Sequence, residues 1–174
     1  MVRRGIYVGR FQPFHMGHLL VLKYILKHVD ELVIVIGSAQ YSHRMDDPFT
    51  TGERLTMIHN ALREANMPVE RCWIVPVRDV NVHMLWVAEI VGYTPKFDVV
   101  YANEPLTKRL FSEAGFKVNS IPYQKREIYS ASEIRKRMLA NKNWESLVPE
   151  SVAKFINEID GVQRLRDLNK TDKI

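Results

Sequence analysis

Five short apolar runs, Gly5–Val8, Glu31–Ile36, Cys72–Val75, Asp98–Tyr101 and Phe116–Ser120, alternate with segments whose apolar residues recur at helical spacing. Strands joined by helices pair in parallel, because the chain must cross back over the sheet before the next strand begins. The pattern predicts an α/β fold, a doubly wound parallel five-stranded sheet with right-handed crossovers. A first helix is read from Leu22, Ile25, Leu26 and Val29, at i, i+3, i+4 and i+7. A second starts at a capping box, Thr50-Thr51-Gly52-Glu53, and carries Leu55, Ile58, Leu62 and Ala65 on one face. From Tyr129 onward the pattern is all helical, which adds a C-terminal helical extension, about 129–174, to a single domain of residues 1–174. Its apolar stripe, Val152, Phe155, Ile156 and Ile159, must cover the sheet or a neighbouring subunit. The charged, thinly apolar Arg164–Ile174 is expected to fray.

The first strand runs straight into Gly9-Arg10-Phe11-Gln12-Pro13-Phe14-His15-Met16-Gly17-His18 and then into a helix. A strand-to-helix turn presents unpaired N–H groups and the positive end of a helix dipole, which is a seat for an anion. Gly9 and Gly17 are read as clearing space for close approach of a phosphate. His15 and His18, three apart, share one side of the helix start and are read as imidazolium donors to phosphate oxygens. A metal pair is the competing reading, but no third ligand at metal spacing accompanies them, so no protein-bound metal is expected. Neither G-x-x-x-x-G-K-[ST] nor G-x-G-x-x-G occurs, so a P-loop enzyme and a dinucleotide-binding dehydrogenase are both unsupported.

A second constellation, Tyr129-Ser130-Ala131-Ser132-Glu133-Ile134-Arg135, opens the helical tail. Ser130 and Glu133 have capping-box spacing, which puts Ser132 in the first turn and Arg135 one turn later. Hydroxyls, helix N–H groups and a guanidinium together suit a terminal pyrophosphate. The long loop Ser38–Phe49, with Gln40, Ser42, His43, Arg44, Asp46 and Asp47, reads equally as a substrate rim or a solvated loop.

Composition bounds the partners. Lys and Arg number 25 against 20 Asp and Glu, a net charge of +5 that favours anionic ligands. The excess is modest, so nucleotide substrates are weighed above polynucleotides and no nucleic acid partner is expected. The lone Cys72, in an apolar run, reads as a buried small hydrophobe; with no disulfide partner in the chain it fits a reducing compartment. No apolar stretch reaches membrane-spanning length, and Met1–Gly5 leads into a strand without a signal-peptide core, so a cytoplasmic protein with no membrane partner is expected.

These residues carry a resemblance. Gly-Arg-Phe-Gln-Pro-Phe-His-x-Gly-His after the first strand, with Ser-x-Ser-x-x-Arg near the end, resembles the H-x-G-H nucleotidyltransferase superfamily and its Rossmann-like fold. Ile36-Gly37-Ser38-Ala39-Gln40, Pro48-Phe49-Thr50-Thr51-Gly52-Glu53-Arg54, Leu85-Trp86-Val87 and Arg135-Lys136-Arg137-Met138 narrow it to the archaeal-type nicotinamide-nucleotide (NMN) adenylyltransferases. The resemblance implies transfer of the adenylyl group of ATP to the 5′-phosphate of NMN, giving NAD and pyrophosphate. It implies that Arg10, His15 and His18 hold the α-phosphate and leaving group, and that Ser130, Ser132 and Arg135 take the outer phosphates. Gly9, Phe11, Gln12, Phe14 and Gly17 would shape the ATP groove. Trp86 would lie under the nicotinamide ring, a cation–π contact, with His83, Gly37 and Ser38 at the same end; the competing reading is a core tryptophan beside Val87, Ile90 and Val91. Mg²⁺ would arrive with ATP. That family commonly forms homo-oligomers, often hexamers. The chain departs from its pattern at His83-Met84, where Asn-Ala is common, and at Ala102-Asn103-Glu104-Pro105, where Ser-Gly-Asn-Pro is common.

Overall fold

The structure, a computed structural model, describes residues 2–122 and 128–171, the last by its backbone alone. Among these, 2–10, 21–40 and 68–122 form one compact unit and 11–20, 41–67 and 128–171 form a second.

The first unit is the sheet. Strands β1 (Arg4–Gly9), β2 (Glu31–Ile36), β3 (Cys72–Pro76), β4 (Val99–Tyr101) and β5 (Lys117–Asn119) are all parallel, in the order β3-β2-β1-β4-β5. The five runs read from the sequence are these strands, with no end shifted by more than one residue. β2 is buried from Leu32 to Ile36, as an unbroken apolar run in the interior of a parallel sheet should be. One face of the sheet, Ile6, Val33, Val35 and Val100, meets Val87 and Ile90 of helix α3 (His83–Tyr93) and Phe111 of helix α4 (Pro105–Glu113). Each such side chain contributes roughly 1.5–3 kcal/mol on burial.

At the sheet edge the expectation for Cys72 is corrected. β3 has a neighbour on one side only, so Cys72 is half-buried and Trp73 is 47% exposed, its Nε1 donating to Glu31 at 2.9 Å. Burial still pushes the Cys72 thiol up to about 11, so it stays protonated. Val91 is likewise exposed and lies off the buried face of α3.

Helix α1 (Met16–Ile25) begins in the second unit and ends in the first; Leu26 falls just past its end. The second unit adds α2 (Thr51–Glu64), α5 (Ala131–Leu139), α6 (Glu150–Glu158) and α7 (Gly161–Thr171). The expected capping box of α2 is present in full, with Thr50 accepting from the Glu53 N–H and Glu53 accepting from the Thr50 N–H. Its buried face is Met57, Ile58, Ala61 and Leu62; Leu55 points to solvent and Ala65 is the cap residue after the last turn.

Two expectations for the tail are overturned. The stripe of α6, with Val152 and Ile156 fully buried, packs on α2, so neither the sheet nor a second subunit is needed to cover it. Residues 172–174 lie outside the described residues; over 164–171 the end expected to fray is instead part of helix α7, which packs on α5 and α6, buries Leu165 and anchors Arg164 to both carboxylate oxygens of Glu53 at 2.7 and 2.8 Å. Its charge belongs to a specific pair, which composition does not reveal. Among the described residues no helix is long and apolar enough to cross a membrane.

Candidate active site

The turn after β1 is built from the inside. Phe11, in the left-handed region at φ 54°, and Phe14 are buried and place their rings 4.8 and 5.4 Å from the His18 ring. The buried Gln12 amide spends both ends on Phe49, donating to its carbonyl and accepting from its N–H at 2.9 Å each. That pairing fixes the turn against the segment leading into α2.

His15 stands where an N-cap stands, its carbonyl accepting from the Leu19 N–H at 3.1 Å. Its Nδ1 accepts from the His18 N–H at 3.3 Å, while the His18 Nδ1 accepts from the His15 N–H at 3.2 Å. The two histidines thus form a capping box with imidazoles in place of the usual hydroxyl and carboxylate. Their rings stack at 3.6 Å.

An Nδ1 that accepts a hydrogen bond carries no proton, so each neutral ring is the Nε2–H tautomer. Among the described residues no hydrogen bond takes up either Nε2. Burial lowers the His15 pKa to about 3, and burial together with the neighbouring His15 ring holds His18 well below its usual value. The expected imidazolium pair is therefore corrected: in this structure both rings are neutral, and what they offer an anion is two N–H donors.

Gly17 has a reason that the sequence did not show. A Cβ there would lie 2.9 Å from Tyr129 Cβ and 3.0 Å from His15 Cε1 and Nδ1. The glycine makes room for the folded-back His15 ring and for the chain entering α5.

Ser130 is the N-cap of α5, accepting from the Glu133 N–H at 3.2 Å, and its Oγ lies 3.4 Å from Ser132 Oγ. The box is only half made, since Glu133 turns to Arg137 at 2.9 Å. Arg135, buried, donates from Nη1 to the Gln12 carbonyl at 2.9 Å and from Nη2 to Asp46 Oδ1 at 3.0 Å. The structure therefore brings Arg135 to the Gln12 carbonyl of the turn that carries the histidines.

Within the loop after β2, Asp47 and Phe49 are buried and the Arg44 guanidinium lies 3.9 Å over the Tyr41 ring, so it is not simply solvated. Arg54, at the end of the Pro48–Arg54 motif, is fully buried, with Thr51 Oγ1 at 3.1 Å; sequence reasoning missed both its burial and the role of Asp46. An arginine one turn into an apolar-faced helix is the signal that could have found the first.

In the first unit, Gly9-Arg10, Gly37-Ser38, Asp79 and Ala102-Asn103 lie at or just beyond the carboxyl ends of β1, β2, β3 and β4, where open parallel sheets take ligands. Arg10 is exposed. The Gly37 N–H closes onto the Gly9 carbonyl at 2.9 Å. Ser38, at φ 51°, gives its hydroxyl to Asp79 Oδ2 at 2.6 Å and its N–H to Oδ1 at 3.2 Å, and Gln40 and Asp79 exchange two more bonds. Asp79 is the second partner that sequence reasoning missed. Trp86 is half-buried, edge-on to Phe111 at 5.7 Å, while His83 is exposed at the start of α3. Glu104, one of the departures, is the N-cap of α4, accepting from the Leu106 and Thr107 N–H groups at 3.0 and 2.6 Å. Asn103 pairs with both backbone groups of Ile121. Among the described residues no group of three or more His, Cys, Asp or Glu side chains is arranged to hold a metal ion.

A parallel sheet with a histidine-capped helix after its first strand defines an α/β nucleotidyltransferase fold, and the chain belongs to the cytidylyltransferase-like family, whose model matches residues 6–137. It is 49% identical over 170 residues to the nicotinamide-nucleotide adenylyltransferase of Saccharolobus solfataricus, covering 98% of this chain and 99% of that one. To the enzyme of the same name from Methanosarcina acetivorans it is 52% identical over 169 residues, covering 97% and 96%. The fold matches the crystal structure of a bifunctional NMN adenylyltransferase/ADP ribose pyrophosphatase from Francisella tularensis with a TM-score of 0.81 at 21% identity. This chain is covered to 98% but spans only about half, 54%, of that longer protein. The same protein complexed with AMP and a manganese ion matches with a TM-score of 0.78 at 21% identity, again covering 98% of this chain and 54% of that one.

Proposed function

We propose that the chain, acting as one nucleotidyltransferase domain, transfers the adenylyl group of ATP to the 5′-phosphate of NMN, forming NAD and pyrophosphate by in-line attack without a covalent intermediate. The observation that carries this reading is the His15–His18 capping box, which fixes two neutral N–H donors at a helix start. The near full-length relatives named for this activity support it.

The attacking phosphate is anionic at neutral pH, so the protein needs no strong general base. Catalysis reduces to alignment and to stabilising charge on the transferring and leaving phosphates. His15 and His18 donate from Nε2 to the α-phosphate and the departing oxygen, with Arg10 adding charge. Ser130, Ser132 and Arg135 take the outer phosphates at the α5 N-terminus. Trp86, His83, Gly37 and Ser38, all in the first unit, receive the nicotinamide end. The nucleotide substrate is MgATP, its ion carried on phosphate oxygens; that the Francisella protein is complexed with AMP and a manganese ion is consistent with divalent-metal use. A single cysteine, Cys72, with no disulfide partner in the chain fits a cytoplasmic setting.

The test is incubation with MgATP and a panel of acceptors, NMN, nicotinic acid mononucleotide, FMN and phosphopantetheine. NAD must form faster than every other product; a preference for another acceptor overturns the reading. His18→Ala should lower kcat by about 10²–10⁴ with a smaller effect on KM, the loss expected for a transition-state donor.

A further inference from the structure

Asp46 is a contact of Arg135 that does not fit a simple phosphate seat. The Arg135 side chain is 10% exposed, while the Asp46 side chain that reaches its Nη2 is 78% exposed. The guanidinium is also held on Nη1 by the buried Gln12 carbonyl. Nη2 donates to a carboxylate from an exposed loop, and a guanidinium N–H pairs with a carboxylate or a phosphate oxygen alike. A carboxylate built to position an arginine is more enclosed and is held by a second donor, as Glu53, its side chain 17% exposed, is by Arg164 and the Thr50 N–H.

Resting on the assignment of Arg135 to the outer phosphates, we propose that Asp46 is the competing anion of this site. Its carboxylate occupies Arg135 until the outer phosphates of the nucleotide displace it, and it takes the guanidinium back as pyrophosphate leaves. The exchange breaks no covalent bond and moves no proton. A single carboxylate charge on an exposed arm yields to a polyphosphate that also reaches the Ser130 and Ser132 hydroxyls and the helix N–H groups. It competes on more equal terms with small or weakly held anions, so Asp46 sets both the affinity floor of the site and the ease of product release. Asp46 is a positioning residue in this role, acting on Arg135 and not on the reacting atoms.

The experiment is titration calorimetry of magnesium pyrophosphate into the full chain and its Asp46→Asn, Asp46→Glu and Arg135→Ala variants, with circular dichroism to check the fold. Asp46→Asn should bind pyrophosphate about three- to tenfold more tightly, the range set by removing one partly exposed ion-pair partner. Pyrophosphate should then inhibit its turnover at correspondingly lower concentration. Asp46→Glu, which keeps the charge, should bind as the unaltered protein does. Unchanged or weaker binding by Asp46→Asn overturns the competition. If Arg135→Ala binds pyrophosphate as well as the unaltered protein, the assignment of Arg135 fails instead, and the proposal with it.

Discussion

His15 and His18 each accept the other's backbone N–H at Nδ1, at 3.3 and 3.2 Å, so one motif both starts helix α1 and sets the tautomer of both rings. The same atoms that cap the helix leave each Nε2 proton for a ligand.

This arrangement has a pH signature. His15 has a folded pKa of about 3 against an ordinary 6.5, so below 6.5 the unfolded chain takes up a proton that the folded chain refuses. The stability it confers is fully present above pH 6.5 and is lost as the pH falls from there toward 3, at about 1.4 kcal/mol per pH unit. Asn at position 15 keeps an N-cap acceptor without the titration. Urea midpoints at several pH values between neutral and mildly acidic should fall steeply for the unaltered protein and less steeply for His15→Asn; equal slopes would count against the buried neutral ring.

Gly17→Ala should destabilise even though alanine is the better helix former. The new methyl would meet Tyr129 and His15 at 2.9–3.0 Å, and overpacking of this kind costs about 1–3 kcal/mol. Gly92→Ala, in α3 with nothing within 4 Å, is the control and should gain up to about 1 kcal/mol. Thermal melts of the two variants should move in opposite directions.

Gln12→Ala strips the Phe49 N–H and carbonyl of their partners in a buried place. Leaving two such groups unsatisfied costs roughly 2–5 kcal/mol. Chemical denaturation should show that loss, and a variant as stable as the parent would mean that water replaces the amide.

Trp86 serves two readings that separate experimentally. If its face takes nicotinamide, Trp86→Phe should raise KM for NMN while leaving KM for ATP and the melting temperature near their original values, since phenylalanine keeps an edge contact to Phe111. A variant that loses stability with no change in KM for NMN returns Trp86 to the core.

What could be read in advance follows the range of the interaction. The five strands came from runs of apolar residues, and the Thr50 and Ser130 helix starts from spacings of three, because both depend on neighbours a turn or a pleat away. The His15 and His18 pair was found on the same grounds, but its charge was misread. A spacing shows that two rings can meet, not that burial keeps them neutral. The described part of the tail from Arg164 was misread for a similar reason, the Arg164 charge being matched by a glutamate 111 residues away.

The sequence by itself determined the parallel α/β architecture, the helix starts and the residue types gathered at the first turn, all of which are encoded over a few adjacent positions. Only the tertiary structure decided that Gln12 braces Phe49, that Ser38 and Gln40 clamp Asp79, and that Asp46 reaches Arg135 across 89 residues. Those partners are chosen when distant segments are brought together and buried polar groups must each find a hydrogen bond, a condition that exists only once the chain has folded.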